Sequence, residues 1–328
     1  MQENDHEAQM LTEAGRWRSR DLAVLWHPCT QMREHPDTLP LVPIARGEGA
    51  WLVDYDGRRY LDAVSSWWTN LFGHGEPRIG AAIARQAQTL EQVMLAGFSH
   101  APAVELAERL LQIAPRQADR APLAKVFYAA NGSAGVEVAL KMAFHYFHNR
   151  GDHKRTKFIA LENGYHGETI GALAVGDIPL YRRVYAPLLT EALFAPSPDA
   201  YLAEAGESPA SCATRAAIAL GELLQRHAGE VCAIIVEPRV QCAGGMRMHD
   251  TRYLRRARDL CDAHGVLLIA DEIEVGDDAP DAGAWVCPLH RAVPHDDAVD
   301  SVRGHDARDC AERRVDVARD DASVHRIS

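Results

Sequence analysis

No stretch of this 328-residue chain approaches the roughly 20 consecutive apolar residues that cross a bilayer. The polar N-terminus, MQENDHEAQMLTEAGRWRSRDLAVLW, lacks the apolar core of a secretory leader. Neither a membrane span nor export is expected. The seven cysteines, at positions 29, 212, 232, 242, 261, 287 and 310, form no C-x-x-C pair and are odd in number. That argues against a disulfide framework and for a reducing, cytoplasmic setting. Lysine is nearly missing, with only Lys125, Lys141, Lys154 and Lys157. There is no G-x-x-x-x-G-K-[ST] phosphate loop. With a formal charge of -11 the chain has no general attraction to nucleic acid or anionic lipid. What is present is ordinary for a globular protein, 47% hydrophobic and 25% charged, with length enough for about two domains.

The pattern of apolar residues gives the organisation. Residues 11–25 read as a helix broken at Trp26-His27-Pro28. Residues 44–62 alternate and turn at Asp56-Gly57, a hairpin or meander. Helical spacing follows over 79–95 and 102–114. From about residue 124 short apolar strands alternate with helices: KVFYAA (125–130), helix 133–149, FIAL (158–161), helix 214–228, VCAIIVEP (231–238), helix 252–264 and GVLLIADE (265–272). This alternation predicts an α/β fold with a mostly parallel sheet covered by helices. Ligands bind such sheets beyond the carboxyl ends of the strands, so the loops after Ala130, Leu161, Val236 and Ala270 should hold the chemistry.

Those loops carry distinctive residues. Asn131-Gly132-Ser133 ends a strand and opens a helix, where free amides attract an anion; Ser133 as an ordinary helix cap is the simpler reading. Gly164-Tyr165-His166-Gly167 can present a flat ring and an imidazole to a planar ligand, or be a tight loop with a partly buried tyrosine. Asp271-Glu272 follows a very apolar strand, where a carboxylate needs a positive partner such as a pyridinium nitrogen. A metal is the competing partner. Ser65-Ser66-Trp67-Trp68 offers two indoles to a pocket wall, or to a core. Glu237-Pro238, with Gln241, Gly244 and Gly245, is another strand-end loop.

In order and spacing, WHPCTQM, DAVSSWWTNLFGH, NGSAGVEVALKMA, NGYHGET, VEPRVQCAGGMRMH and LLIADEI resemble the adenosylmethionine–8-amino-7-oxononanoate aminotransferases. These are class-III, fold-type-I enzymes dependent on pyridoxal 5'-phosphate, and the resemblance covers about residues 17–276. SSWW and GYHGET favour this branch over the ornithine and acetylornithine aminotransferases. The resemblance implies that Gly132 and Ser133 hold the cofactor phosphate, that Tyr165 flanks cofactor and substrate, and that Asp271 pairs with the ring nitrogen. His166 and Glu237 would lie near the cofactor, and Trp67, Trp68 and Cys29 at the substrate. It also implies a homodimer that transfers the amino group of S-adenosylmethionine to 8-amino-7-oxononanoate, giving 7,8-diaminononanoate for biotin synthesis. Another class-III ω-aminotransferase is the alternative. On this reading residues 1–75 belong to a small domain and the substrate pocket, 76–276 form an incomplete cofactor-binding large domain, and the C-terminal small domain is missing.

The chain departs from the family pattern at four places. Cys29 stands for the tyrosine of W-H-P-Y-T, Ala130 for an aspartate beside the phosphate loop, and Cys242 for a glycine. The fourth is the continuation of DEI. The family runs on to G-F-G-R-T-G and then S/G-K-[AG]-L-T-G-G, whose lysine forms the Schiff base. Here DEIEVG passes into DDAPDAGAW, and no lysine follows Asp271. No catalytic residue is therefore assigned, and a non-catalytic remnant is a further alternative. Residues 277–328 show no sustained period and are expected to be an aberrant, disordered tail. Cys287, His290, His295, His305 and Cys310 are too irregularly spaced for a zinc site, and no metal is expected. The hypothesis for the abrupt change is an out-of-frame reading of the gene. DNA sequence across codons 270–280 tests it, and a continuous in-frame read would refute it.

Overall fold

A computed structural model describes residues 12–38, 41–114 and 122–274. The expectations for 277–328, including those for Cys287, His290, His295, His305 and Cys310, lie outside the described residues. The chain divides into two compact units between His100 and Ala101.

In the first unit, helix α1 (Glu13–Val24) is capped by the Thr12 side chain, which accepts from the Gly15 amide. Strands β1 (Ile44–Glu48), β2 (Trp51–Asp54) and β3 (Arg59–Leu61) form the expected antiparallel meander. Its β2–β3 turn is organised by the buried Asp54, whose carboxylate accepts from the amides of Asp56 and Arg58 and from the Tyr60 hydroxyl. Helix α2 (Pro77–Ala87) is shorter than the helical spacing of 79–95 suggests. The amides of Thr89 and Leu90 both turn back to the Gln86 carbonyl, and the Gln86 side chain donates to the Leu90 carbonyl. These bonds close the helix with a turn.

The second unit begins with α3 (Ala101–Ile113) and α4 (Gly132–Asn149). Its sheet has the order β5 (Leu193–Ala195), β4 (Lys157–Leu161), β6 (Val231–Val236), β9 (Leu267–Ala270), and every neighbouring pair is parallel. Two helices complete the layers, α5 (Pro209–Arg226) and α6 (Arg252–His264), and a small hairpin joins β7 (Val240–Gln241) to β8 (Arg247–Met248). All six residues of β6 and all four of β9 are buried, because helices cover both faces of a parallel sheet. Ile159, Leu161, Ile234, Val236 and Leu268 point into one core with Leu220, Leu224, Tyr253 and Leu254 of α5 and α6. Ala160, Ala233, Ile235 and Ile269 point into the other, with Val136, Ala139, Leu140 and Ala143 of α4. At about 25 cal/mol per Å² of apolar surface, each fully buried Leu or Ile contributes about 2 kcal/mol. Gly265, in the left-handed region at φ 63°, stops α6 and turns the chain into β9.

One sequence expectation fails here, and one helix starts earlier than expected. Residues 125–130 are not a strand: 122–129 carry no regular element, and Phe127 is 59% exposed. A strand exists only through its partner's hydrogen bonds, and no described strand lies beside KVFYAA. The helix expected at 214–228 spans 209–226, because Pro209 sits at its first turn and Ser208 caps it. Several elements had too short a signal to be read beforehand, among them β5, the β7–β8 hairpin and the one-turn helices Ile170–Ala174 and Pro179–Arg182.

Candidate active site

The carboxyl ends of β4, β6 and β9 and the N-terminus of α4 surround an open cleft of about 210 Å³, lined by Asn131, Gly132, Ser133, Tyr165, His166, Gly167, Glu237, Asp271, Ile273 and Glu274. Four loops expected to hold chemistry meet there, although one of them follows an irregular segment and not a strand.

At the helix end, the N-cap is Asn131 and not Ser133: its side-chain oxygen accepts from the Ala134 amide at 2.9 Å. The simple capping reading of Ser133 is thereby overturned. The first bond of the helical ladder comes from the Gly135 amide to the Asn131 carbonyl, so the amides of Gly132 and Ser133 stay outside the ladder, as an anion site requires. The Ser133 hydroxyl accepts from the Glu168 amide at 3.3 Å. Gly167 is held at φ 116°, and a Cβ there would lie 2.2 Å from Ser133 Oγ. Only glycine allows this close approach.

The loop after β4 presents Tyr165, which is partly buried, 5.4 Å from the Tyr181 ring and bonded through its hydroxyl to Glu168 at 3.2 Å. Burial, with the Glu168 carboxylate next, holds its phenol well above its usual pKa. The neighbouring His166 is buried, and its Nδ1 lies 2.8 Å from Asp271 Oδ2. The other ring nitrogen, Nε2, is enclosed and has no hydrogen-bond partner among the described residues. Asp271 also accepts through Oδ1 from the Ile273 amide at 3.2 Å. At the end of β6, the buried Glu237 accepts from the amides of Tyr165 (2.8 Å) and Cys242 (3.0 Å). Burial pushes its carboxyl up to about 7. Glu274, not singled out from the sequence, also lines the cleft, and burial raises its pKa as well. Its only prior signal was its place three residues after Asp271.

The cleft therefore combines a helix end with amides outside the helical ladder, a flat ring and a buried carboxylate braced by a histidine, a set that suits a planar phosphorylated pyridine. A family model described as aminotransferase class-III matches residues 32–296. The chain belongs to the class-III aminotransferases. It is 42% identical over 273 residues to the adenosylmethionine-8-amino-7-oxononanoate aminotransferase of Geobacter sulfurreducens, covering 83% of this chain and 58% of that one. The solved structure of the enzyme of that name from Methanocaldococcus jannaschii superposes with a TM-score of 0.70 at 38% identity, covering 80% of this chain and 55% of the other. An omega transaminase from Pseudomonas jessenii, solved in complex with PMP, gives 0.71 at 30% identity, covering 77% and 55%. The chain thus spans about half the length of the relatives it matches, and its α/β architecture is that of fold-type-I pyridoxal-phosphate-dependent aminotransferases.

Within this class-III chain, Gly132, Ser133, Tyr165, His166, Glu237 and Asp271 all line one cleft. Cys29, Trp67 and Trp68 belong to the first unit, where all three are exposed. Residues 65–68 form a single turn with positive φ at every residue, 50, 49, 65 and 64°, an arrangement that side chains other than glycine disfavour. Cys29 has φ 57°. Cys242 is buried beside the cleft, and burial pushes its thiol up to about 12. Among the described residues there is no group of three or more potential metal ligands, and no helix is long and apolar enough to cross a membrane.

Proposed function

We propose that this chain is the cofactor-holding part of a transaminase that moves the amino group of S-adenosylmethionine to 8-amino-7-oxononanoate, giving 7,8-diaminononanoate in biotin synthesis. The observation that carries the proposal is the meeting of Gly132, Ser133, Tyr165, His166 and Asp271 at one cleft, in a chain 42% identical to an enzyme of that name. Pyridoxal phosphate, when bound, supplies the electron sink and the carrier for the amino group. The protein's part is to bind and orient. The amides of Gly132 and Ser133 would receive the phosphate, with the Ser133 hydroxyl beside them. Asp271 would hold the proton on the ring nitrogen, and His166 fixes that carboxylate by its 2.8 Å contact. Tyr165 would cover a ring face. Trp67, Trp68 and Cys29 would line the substrate pocket, in a segment (1–75) belonging to a small domain, with 76–276 as the cofactor-binding large domain. The family resemblance supports a homodimer, and the cysteine pattern supports the cytoplasm.

No lysine follows Asp271 in this chain, so no side chain of the expected kind moves the proton at the reacting carbon. The chain as it stands is expected to bind pyridoxamine phosphate (PMP) without turnover. Equilibrium titration with PMP tests the reading, and no saturable binding by folded protein would refute it. The omega-transaminase reading is favoured by its equal structural likeness. Comparing S-adenosylmethionine, ornithine and γ-aminobutyrate as donors, in a form carrying the lysine, separates the two.

A further inference from the structure

We propose that Glu237 is a positioning residue, whose carboxylate clamps two loops by their backbone amides and so holds the Tyr165 ring at the cleft. The proposal rests on the reading that this cleft binds the phosphopyridine cofactor.

Glu237 directly follows β6, the most completely buried strand, and is only 6% exposed. Both of its oxygens are used. Oε2 accepts from the Tyr165 amide at 2.8 Å, and Oε1 accepts from the Cys242 amide at 3.0 Å. The first amide belongs to the loop after β4, the second to the turn after β7. Each loop has bonds of its own, from the Gly164 amide to the Leu161 carbonyl in the first and from the Gly245 and Met246 amides to the Cys242 carbonyl in the second, and none of these fixes the Tyr165 amide. Tyr165 is preceded by Gly164 and followed two residues on by Gly167, which permits many backbone conformations. Against the hairpin turn, a Cβ at Gly244 would sit 2.5 Å from the Asn163 carbonyl, and the Gln241 side chain donates to the Glu162 carbonyl at 2.9 Å, so the two loops touch and Glu237 adds the tie at Tyr165 itself. One ionised carboxylate can accept from both amides. A carboxamide can accept through its oxygen only and turns an N–H donor toward the other amide, and a protonated carboxyl accepts far more weakly through its hydroxyl oxygen than an ionised one does. The groups that act on Glu237 are known: burial raises its pKa, the His166 imidazole and the two amides lower it, and Asp271 raises it. Tyr165, the Cys242 thiol and Glu274 complete the titratable surroundings. The clamp is therefore strongest with Glu237 ionised and weakens as falling pH protonates it.

The experiment titrates the full chain with PMP at pH 8.5 and pH 5.5, as wild type, Glu237→Gln, Tyr165→Ala and the double variant. Loss of one charge-assisted hydrogen bond predicts that Glu237→Gln weakens PMP binding about 10-fold or more at pH 8.5. At pH 5.5 the two proteins should converge. In the Tyr165→Ala background the Glu237→Gln effect should shrink to about 2-fold or less, the non-additivity expected when one residue acts through another. Unchanged affinity of Glu237→Gln at pH 8.5, or a full penalty without the Tyr165 ring, overturns the proposal. If Glu237→Gln loses its cooperative thermal transition, Tyr165→Ala against wild type still decides. The ring must be worth more at pH 8.5 than at pH 5.5, and an equal ratio overturns the clamp. A folded wild type that binds no PMP at either pH overturns the cofactor reading itself, a result distinct from any of these.

Discussion

Gly167→Ala tests the anion cradle most directly. Two costs add at this position. The backbone is at φ 116°, which an L side chain tolerates only at about 1–3 kcal/mol. The new Cβ would also lie 2.2 Å from Ser133 Oγ, 2.8 Å from its Cβ and 3.0 Å from its Cα. A rotamer change could move the hydroxyl, but not the Cβ or Cα, so the loop or the first turn of α4 must shift. Gly151 supplies the control, with φ 77° and nothing within 4 Å of the Cβ an alanine would add, so Gly151→Ala pays for backbone strain alone. We expect Gly151→Ala to cost about 1 kcal/mol and leave PMP affinity unchanged. Gly167→Ala should cost about 2–4 kcal/mol and weaken PMP binding about 10-fold or more, because the amides of Gly132 and Ser133 lose their common aim. Denaturant unfolding gives the first number and PMP titration the second. If Gly167→Ala matches Gly151→Ala in both, the cradle does not depend on this contact and the reasoning fails.

Other outcomes follow from burial. The Tyr253 hydroxyl is fully buried and has no hydrogen-bond partner among the described residues, so Tyr253→Phe should leave stability unchanged or raise it by about 1 kcal/mol in urea unfolding; a loss above that size would reveal a hidden partner. Ile235→Ala empties a fully buried site between β6 and α4 and should cost about 2–5 kcal/mol, with a value under 1 refuting tight packing there. Burial lowers the pKa of His249 from 6.5 to about 4. The unfolded chain takes up that proton first, so stability present above pH 6.5 is lost as pH falls toward 4, on the order of 3 kcal/mol. Glu237 acts oppositely: its carboxyl is raised from 4.5 to about 7, so the folded chain binds the proton first and gains stability as pH falls from 7 to 4.5. Glu274, whose pKa burial also raises, acts in the same sense as Glu237, so as pH falls from 6.5 to 4.5 the thermal midpoint of His249→Gln should rise relative to that of the wild type; parallel curves would contradict the assignment.

Much of the second unit was legible because its signals are local. The apolar runs of β6 and β9 announce a sheet buried on both faces, and α6 lies at 252–264 as its period predicts. Gly265 marks its end. KVFYAA shows the limit: its composition suits a strand, yet strand formation depends on a neighbour that the 125–130 segment does not contain. Ser133 shows a second limit. It and Asn131 are both good capping residues, and only the backbone direction at residue 131, extended at φ −160° and ψ 177°, chooses Asn131.

The amino-acid sequence alone was enough to name the family and most of the residues that line the cleft, Ile273 and Glu274 excepted, because glycines, strand-end carboxylates and paired motifs carry their chemistry in their identity and order. Tertiary structure decided what those residues do to one another. The 2.8 Å pairing of His166 with Asp271 joins positions 105 residues apart, and Glu237 reaches the Tyr165 amide across 72. Such contacts depend on which strands lie side by side in the β5-β4-β6-β9 order. That order follows from long-range packing of both sheet faces, which no local pattern of residues encodes.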